Sequence, residues 1–235
     1  MTSRLKGIAF HPVTATLILL IGWLLLALGY WGAWIWSESA ALRILGLDFP
    51  EYVKFVAEVR SGVIQLTREV FFLPLVTLSL SLSLLAHRAE FRFPRLIRWL
   101  LNLAAVPVAL SMLPPAWTPE LLQTDEFLKQ SVLIALCLVA ALLSYPLLRR
   151  ISGWIVALFL SLLAAASIYA PLEALARLQP ALDAIFGKPV SVGRGPWQTA
   201  IGILLVVLAS WLAVIIPGKN SSSPSPSPSH ESGPD

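Results

Sequence analysis

Six stretches of this chain run for 15 to 24 consecutive residues without a charged side chain. That limits the fold more than any motif does. The stretches are 13–36, 70–86, 99–113, 130–148, 151–171 and 197–217. A helix needs about 20 apolar residues to cross a hydrocarbon layer of ~30 Å. The 235 residues are 57% apolar and 13% charged, against roughly 45–50% and about 25% in a soluble domain. The sequence therefore predicts an all-α integral membrane protein: a polytopic bundle of about six transmembrane helices with one or two amphipathic outer-loop helices.

The first run follows Arg4 and Lys6, as the h-region of a signal peptide would. An h-region spans about 7–15 residues, and this run has 24. It reads as a retained signal anchor and first span, reaching about 36 Å as a helix. The third run is short, and Arg98 can snorkel to lengthen it. Pro107 should kink that run, unless the segment is re-entrant. The fourth and fifth runs are separated by little more than Arg149 and Arg150, which predicts an antiparallel helical hairpin. No internal repeat supports an inverted-repeat transporter.

A β-barrel would show segments of ~10 residues alternating apolar and polar. Leu78-Ser79-Leu80-Ser81-Leu82-Ser83 alternates, but inside a solid apolar run. On a helix Ser79 and Ser83 share a face, as do Thr77 and Ser81.

Lys and Arg placement predicts orientation. The segments 1–12, 87–98, 149–150 and 218–220 hold nine cations in 29 residues; 37–69, 114–129 and 172–196 hold eight in 74. Short basic loops stay inside, so both termini are expected in the cytoplasm, in a bacterial-type plasma membrane. Residues 1–12 form the N-terminal segment and 13–217 the transmembrane domain. The Ser/Pro-rich segment 218–235 lacks apolar side chains to offset ordering entropy and should be a disordered cytoplasmic tail.

The outer loops carry two amphipathic candidates. Asp48-Phe49-Pro50-Glu51 has the signature of a helix start, and Tyr52, Val56, Val59 and Val63 then recur at helical spacing. The second is 172–186, interrupted by Pro180. Both read most simply as helices closing the outer end of the bundle.

The central parts of the runs hold no Asp, Glu, Lys, Arg or His. An ionisable group at that depth usually marks an ion path, a proton relay or a cofactor. Haem ligation, a retinal Schiff base and a voltage-sensing Arg ladder all lose support. Metalloprotease, nucleophile-elbow and nucleotide-binding motifs are missing. No catalytic, metal or cofactor residue is assigned, and no cofactor is expected. The net charge of +4 is explained by topology and headgroup contacts, so nucleic acid is not an expected partner; the bilayer is, with a membrane-protein partner or a second copy as the further possibility. The single Cys137 forms no intrachain disulfide. Asn102 should hydrogen-bond across helices, and pairs such as Gly29-x-x-x-Ala33 and Ala209-x-x-x-Ala213 should serve close packing. Trp31, Trp34, Trp36, Trp99, Trp117, Trp154 and Trp197 fall where an interfacial belt is expected.

Two charged constellations remain. Arg68, Glu69, Glu120, Asp125 and Glu126 flank the outer ends of runs and form a candidate outer-face polar cluster. Arg68 opposes the dipole of the helix it precedes, so an acid from another outer loop, such as Glu120, Asp125, Glu126 or Glu173, should hold it across the outer face. Arg88, Arg92, Arg95 and Arg98 crowd one cytoplasmic loop as a topology anchor, or as a contact for anionic lipid or an acidic partner. The leading functional expectation is a non-catalytic scaffold, assembly or accessory subunit of a membrane complex. The alternatives are a transporter or channel for an uncharged or apolar solute, and an enzyme acting on lipid or exported peptide at the outer face.

Overall fold

The computed structural model describes residues 12–37, 42–148 and 151–215. The expected cytoplasmic N-terminus, the Arg149-Arg150 link and the Ser/Pro-rich tail lie outside these residues, apart from Pro12. These residues are mostly helical, and among them five helices are long and apolar enough to cross a membrane.

Helix α1 (Pro12–Tyr30) stops six residues before the end of its apolar run. At Trp31 and Gly32 the chain turns, and Ala33–Ser37 becomes strand β1, rich in aromatic and β-branched residues. Strand β2 (Leu42–Leu45) pairs antiparallel with β1, opposing Ile35 to Ile44 and Trp36 to Arg43. Helix α2 (Phe49–Tyr52) and helix α3 (Ala57–Arg60) follow. The predicted amphipathic helix is thus broken, because Val56 between them is extended. A 3-10 turn, Arg68–Phe72, leads into α4 (Leu73–Ala86). Helix α5 (Arg95–Leu110) carries most of the third run; at 16 residues it measures about 24 Å. Helix α6 (Asp125–Leu148) precedes α7 (Gly153–Phe186), which is 34 residues long. The second amphipathic candidate is therefore the continuation of α7 rather than a separate helix. Strand β3 (Ser191–Val192) joins the other edge of β1, and α8 (Gly195–Ile215) ends the described chain.

Helix α4 is the axis of the bundle. From Pro74 to Ala86 every residue but Leu84 is buried. Helices α5, α6 and α7 pack on it, with α1 and α8 completing the ring. This explains the Leu-Ser alternation. A helix facing lipid carries hydroxyls on few faces, whereas one enclosed by helices finds partners on every side. Ser79 Oγ donates to the Ala105 carbonyl of α5 at 2.9 Å. Ser81 Oγ accepts from Trp23 Nε1 of α1 at 2.9 Å. Thr77 and Ser167 of α7 share a hydrogen bond of 2.7 Å. Asn102 crosses from α5 to the Ala141 carbonyl of α6 at 2.9 Å, as expected of it.

Helices α6 and α7 each pack on α4 and barely touch one another. The predicted hairpin is antiparallel but splayed, because the enclosed α4 competes for both partners. Helices α1 and α8 form the closest seam. A Cβ on Gly29 would fall on the Thr199 backbone, and one on Gly202 on the Leu26 backbone nitrogen. Outward faces stay apolar: Leu24 of α1, Leu103 of α5, Leu142 of α6, Leu162 of α7 and Leu204 of α8 are all exposed.

The helix directions sort the connections into two ends. Thr16 bonds the Phe91 carbonyl, Arg88 reaches the Ile151 carbonyl, and Gly153 lies beside Val214. Pro12, the 87–95 turn, Ile151 and Ile215 therefore share one end, called here the arginine end. The sheet, α2, α3 and the second half of α7 close the opposite, capped end. There Trp34, Phe49, Phe71 and Tyr30 pack ring against ring. Trp34 is core rather than belt, whereas Trp31, Trp36, Trp99, Trp117, Trp154 and Trp197 are exposed.

Candidate functional site at the capped end

Residues from three separate segments meet beside the start of α4. Arg68 is placed by the 3-10 turn, Glu51 and Lys54 by the segment around α2, and Asp125, Glu126 and Phe127 by the first turn of α6. The Arg68 guanidinium sits 3.1 Å from Glu51 Oε1 and 3.6 Å from Glu69 Oε1. It donates to the Glu126 backbone carbonyl at 2.7 Å and lies 4.7 Å from the centre of the Phe127 ring. Lys54 Nζ is 2.8 Å from both Glu51 Oε2 and Glu126 Oε1, over the other side of the same contact network, and 4.5 Å from the Phe127 ring centre.

Arg68 reaches the bundle through a backbone carbonyl of α6, and the carboxylate expected from another outer loop does not hold it. It takes the backbone carbonyl of Glu126, and its carboxylate partners are Glu51 and Glu69. The Glu126 side chain goes to Lys54. Helix electrostatics required a partner for an Arg at a helix start; which acid would reach it depended on the loop fold.

A cavity of about 320 Å³ opens here, with Lys54, Arg68, Glu69, Asp125, Glu126 and Lys129 on its wall. Four of the five sequence candidates, Arg68, Glu69, Asp125 and Glu126, are brought together. Glu120 is not on this wall. It stands before a 3-10 turn, Leu121–Gln123. Its own backbone N–H and the Thr118 hydroxyl hold its carboxyl below the usual carboxylate range. Glu51, Lys54 and Phe127 were missed. The Glu51/Lys54 spacing of three residues signalled a local pair, but their facing Arg68 required the loop to fold back.

Chemically the cluster is close to self-neutralised. Glu51 meets two cations, Glu126 one, and Glu69 lies beside Arg68. Asp125 and Lys129 are exposed and lack an ion pair among the described residues. No group of three or more His, Cys, Asp or Glu among the described residues could hold a metal ion.

The arginine cluster at the other end is divided. Arg88 and Arg98 line a cavity of about 420 Å³. Arg92 and Arg95 are exposed on the turn and on the first turn of α5, with Arg92 in the left-handed region at φ 51°.

An enclosed central helix, apolar outward faces and polar caps at both ends define a helical bundle of the membrane type. No protein family, curated protein or solved structure matches the chain.

Proposed function

We propose that the chain is a six-pass protein of a bacterial-type plasma membrane, with both termini cytoplasmic, acting as a non-catalytic scaffold or accessory subunit of a membrane complex. The observation carrying this reading is α4, whose side chains fill the axis of the bundle. A bundle with a packed axis offers helix faces and end surfaces rather than a central path, which argues against the channel alternative. The cap supports the same reading, since Glu51, Lys54, Arg68 and Glu126 are spent on one another. Gentle solubilisation of native membranes, followed by sizing of the complex that contains the chain, tests the proposal. A reproducible larger complex with defined partners supports it. A solitary monomer under those conditions overturns it.

A second reading is an enzyme acting on lipid or exported peptide at the outer face. It draws on the 320 Å³ cavity with three acids and Arg68 on its wall. Lipid and exported-peptide profiles of cells with and without the chain test it, with a Glu69→Gln/Asp125→Asn double variant alongside. A species that accumulates in the absence of the chain and that the double variant fails to clear supports it; identical profiles discard it.

A further inference from the structure

We propose that the cavity at the arginine end binds the phosphate of an anionic lipid headgroup, held by Arg98 and His87. The cavity lies between the end of α4, the start of α5, the end of α6 and the start of α7, and His87, Arg88, Arg98, Tyr145 and Ser152 are on its wall.

The two arginines are not equivalent. Arg88 is committed: it donates to the Ile151 carbonyl at 3.0 Å and pairs with Glu90 at 2.7 Å. It holds the floor of the cavity together. Arg98 donates through Nε to the Phe93 carbonyl at 2.8 Å. That bond fixes its plane, and neither terminal nitrogen has a partner among the described residues. A guanidinium so oriented presents the paired donors that suit a phosphate's oxygens.

His87 supplies the second observation. Both ring nitrogens are shielded from solvent and have no hydrogen-bond partner among the described residues. The ring is set edge-on against Trp99 and Tyr145, at 6.3 and 5.5 Å between centres. A shielded polar group normally has a partner, and its lack of one needs an explanation. Among the described residues, the charged and titratable groups facing it are Arg98 from α5, Arg88 and Glu90 from the turn after α4, and Tyr145 from α6. Burial and Arg98 both oppose a charge on the ring. An anion seated between Arg98 and His87 would satisfy a ring N–H and reverse that balance.

The surroundings favour a lipid as the source of the phosphate. Trp99 and Tyr145 are exposed, and the outward faces beside them carry Leu96, Leu103 and Leu142. Acyl chains running down that wall would leave the headgroup at the cavity. Free phosphate shares the recognition chemistry but gains nothing from the wall.

The test uses the full chain, isotope-labelled at histidine, in maltoside micelles. It is titrated with short-chain phosphatidylglycerol and, in a separate arm, with inorganic phosphate. The His87 signal is assigned by its loss in His87→Gln. Phosphatidylglycerol should raise the His87 pKa by about one unit. Arg98→Gln should weaken the lipid's apparent affinity about tenfold or more, whereas the Arg92→Gln/Arg95→Gln double variant should stay within about twofold. Arg98→Lys keeps the charge without the paired geometry and should fall between; it replaces Arg98→Gln if that variant does not fold. A shift with the lipid alone supports the headgroup site. An equal shift with inorganic phosphate keeps the phosphate site and overturns the lipid as its source. No shift with either, or equal losses in the Arg98 and Arg92/Arg95 variants, overturns the site.

Discussion

Arg68 is the side chain on which the capped end most depends. Its side chain is 10% exposed, and it serves two carboxylates, a backbone carbonyl and an aromatic face at once. An exposed ion pair contributes ~0–1 kcal/mol. Removing a mostly buried partner costs more, because it strands the groups left behind. Arg68→Ala should therefore destabilise the fold by about 1–3 kcal/mol, with Glu51 and Glu69 losing a shared cation. Arg68→Lys should recover only part of this, since one ammonium cannot reproduce the spread of guanidinium contacts. Thermal unfolding in detergent measures both. A loss within ~0.5 kcal/mol for Arg68→Ala would show that Lys54 alone holds the cap. At the arginine end His87 makes stability depend on pH. Burial, and less strongly Arg98, lower its pKa in the folded chain. The folded state then binds fewer protons than the unfolded state as the pH drops through about 6.5. The stability carried by the neutral ring is complete above that value and is lost as the pH falls through the lower folded value. Between pH 7 and 5, in phosphate-free detergent, the wild type should lose more stability than His87→Gln. Parallel pH profiles for the two would contradict the assigned cause.

Elements here follow from what surrounds them as much as from their own residues. The α1–α8 seam illustrates this. Gly22 and Gly29 on α1 are seven residues apart, as are Gly195 and Gly202 on α8, and each sits where a Cβ would meet backbone of a neighbouring segment. Gly202→Val should force the two helices apart and cost on the order of 2–4 kcal/mol, whereas Ala200→Val, at a half-buried position two residues earlier, should cost less than about 1 kcal/mol. Unfolding of the two variants measures the difference, and equal losses would mean the seam yields. The apolar character of α4, α6, α8 and the first half of α7 was legible, because an uncharged run of about 20 residues has few other uses. The seam was less so: small-residue pairs are frequent in this sequence, and spacing alone does not say which pair faces which helix. The central place of α4 was written in Ser79, Ser81 and Ser83, which mark opposite faces of one helix, but periodicity arguments look for one polar face. Strand β1 was missed because Trp34, Ile35 and Trp36 extend the apolar run of α1 without a break; Gly32 and the partner strands decide against helix there. The second half of α7 looks like a separate element in the sequence because Pro171 and Pro180 suggest ends. Both fit inside the helix, whose buried Ala174, Leu175, Leu178 and Leu182 hold it against the cap. The polar cluster was half legible: the need of Arg68 for a partner followed from helix electrostatics, whereas Glu51 was found only once the loop folded back.

At the scale of the whole molecule, the two ends differ in kind. A 34-residue helix measures about 51 Å and outruns a ~30 Å hydrocarbon layer, so α7 must project. Its charges show where: Glu173, Arg177 and Asp183 all lie in the half that packs against the cap, and Asp183 accepts the Val190 N–H at 2.7 Å to anchor the return to β3. The capped end is thus a small folded layer in which Glu51, Lys54, Arg68 and Glu126 pair with one another. The arginine end is thin, with short turns and a single acid, Glu90, among the described residues of the 87–98 segment. Charge density favours the thin end as cytoplasmic, because short basic loops resist translocation whereas long mixed ones are tolerated. Two exposed positions report on this directly. Ser152 precedes α7 at the arginine end and Thr124 precedes α6 at the capped end, and both are exposed. In a Cys137→Ala background, Thr124→Cys should react with an impermeant thiol reagent in intact cells, and Ser152→Cys should react only after the membrane is opened. Labelling of Ser152→Cys alone would invert the orientation and place the phosphate-site cavity outside. Labelling of both in sealed cells would mean that the arginine and capped ends do not lie on opposite sides of one bilayer, which the antiparallel run of α6 after α5, and of α8 against α1, would then have to be reread to accommodate.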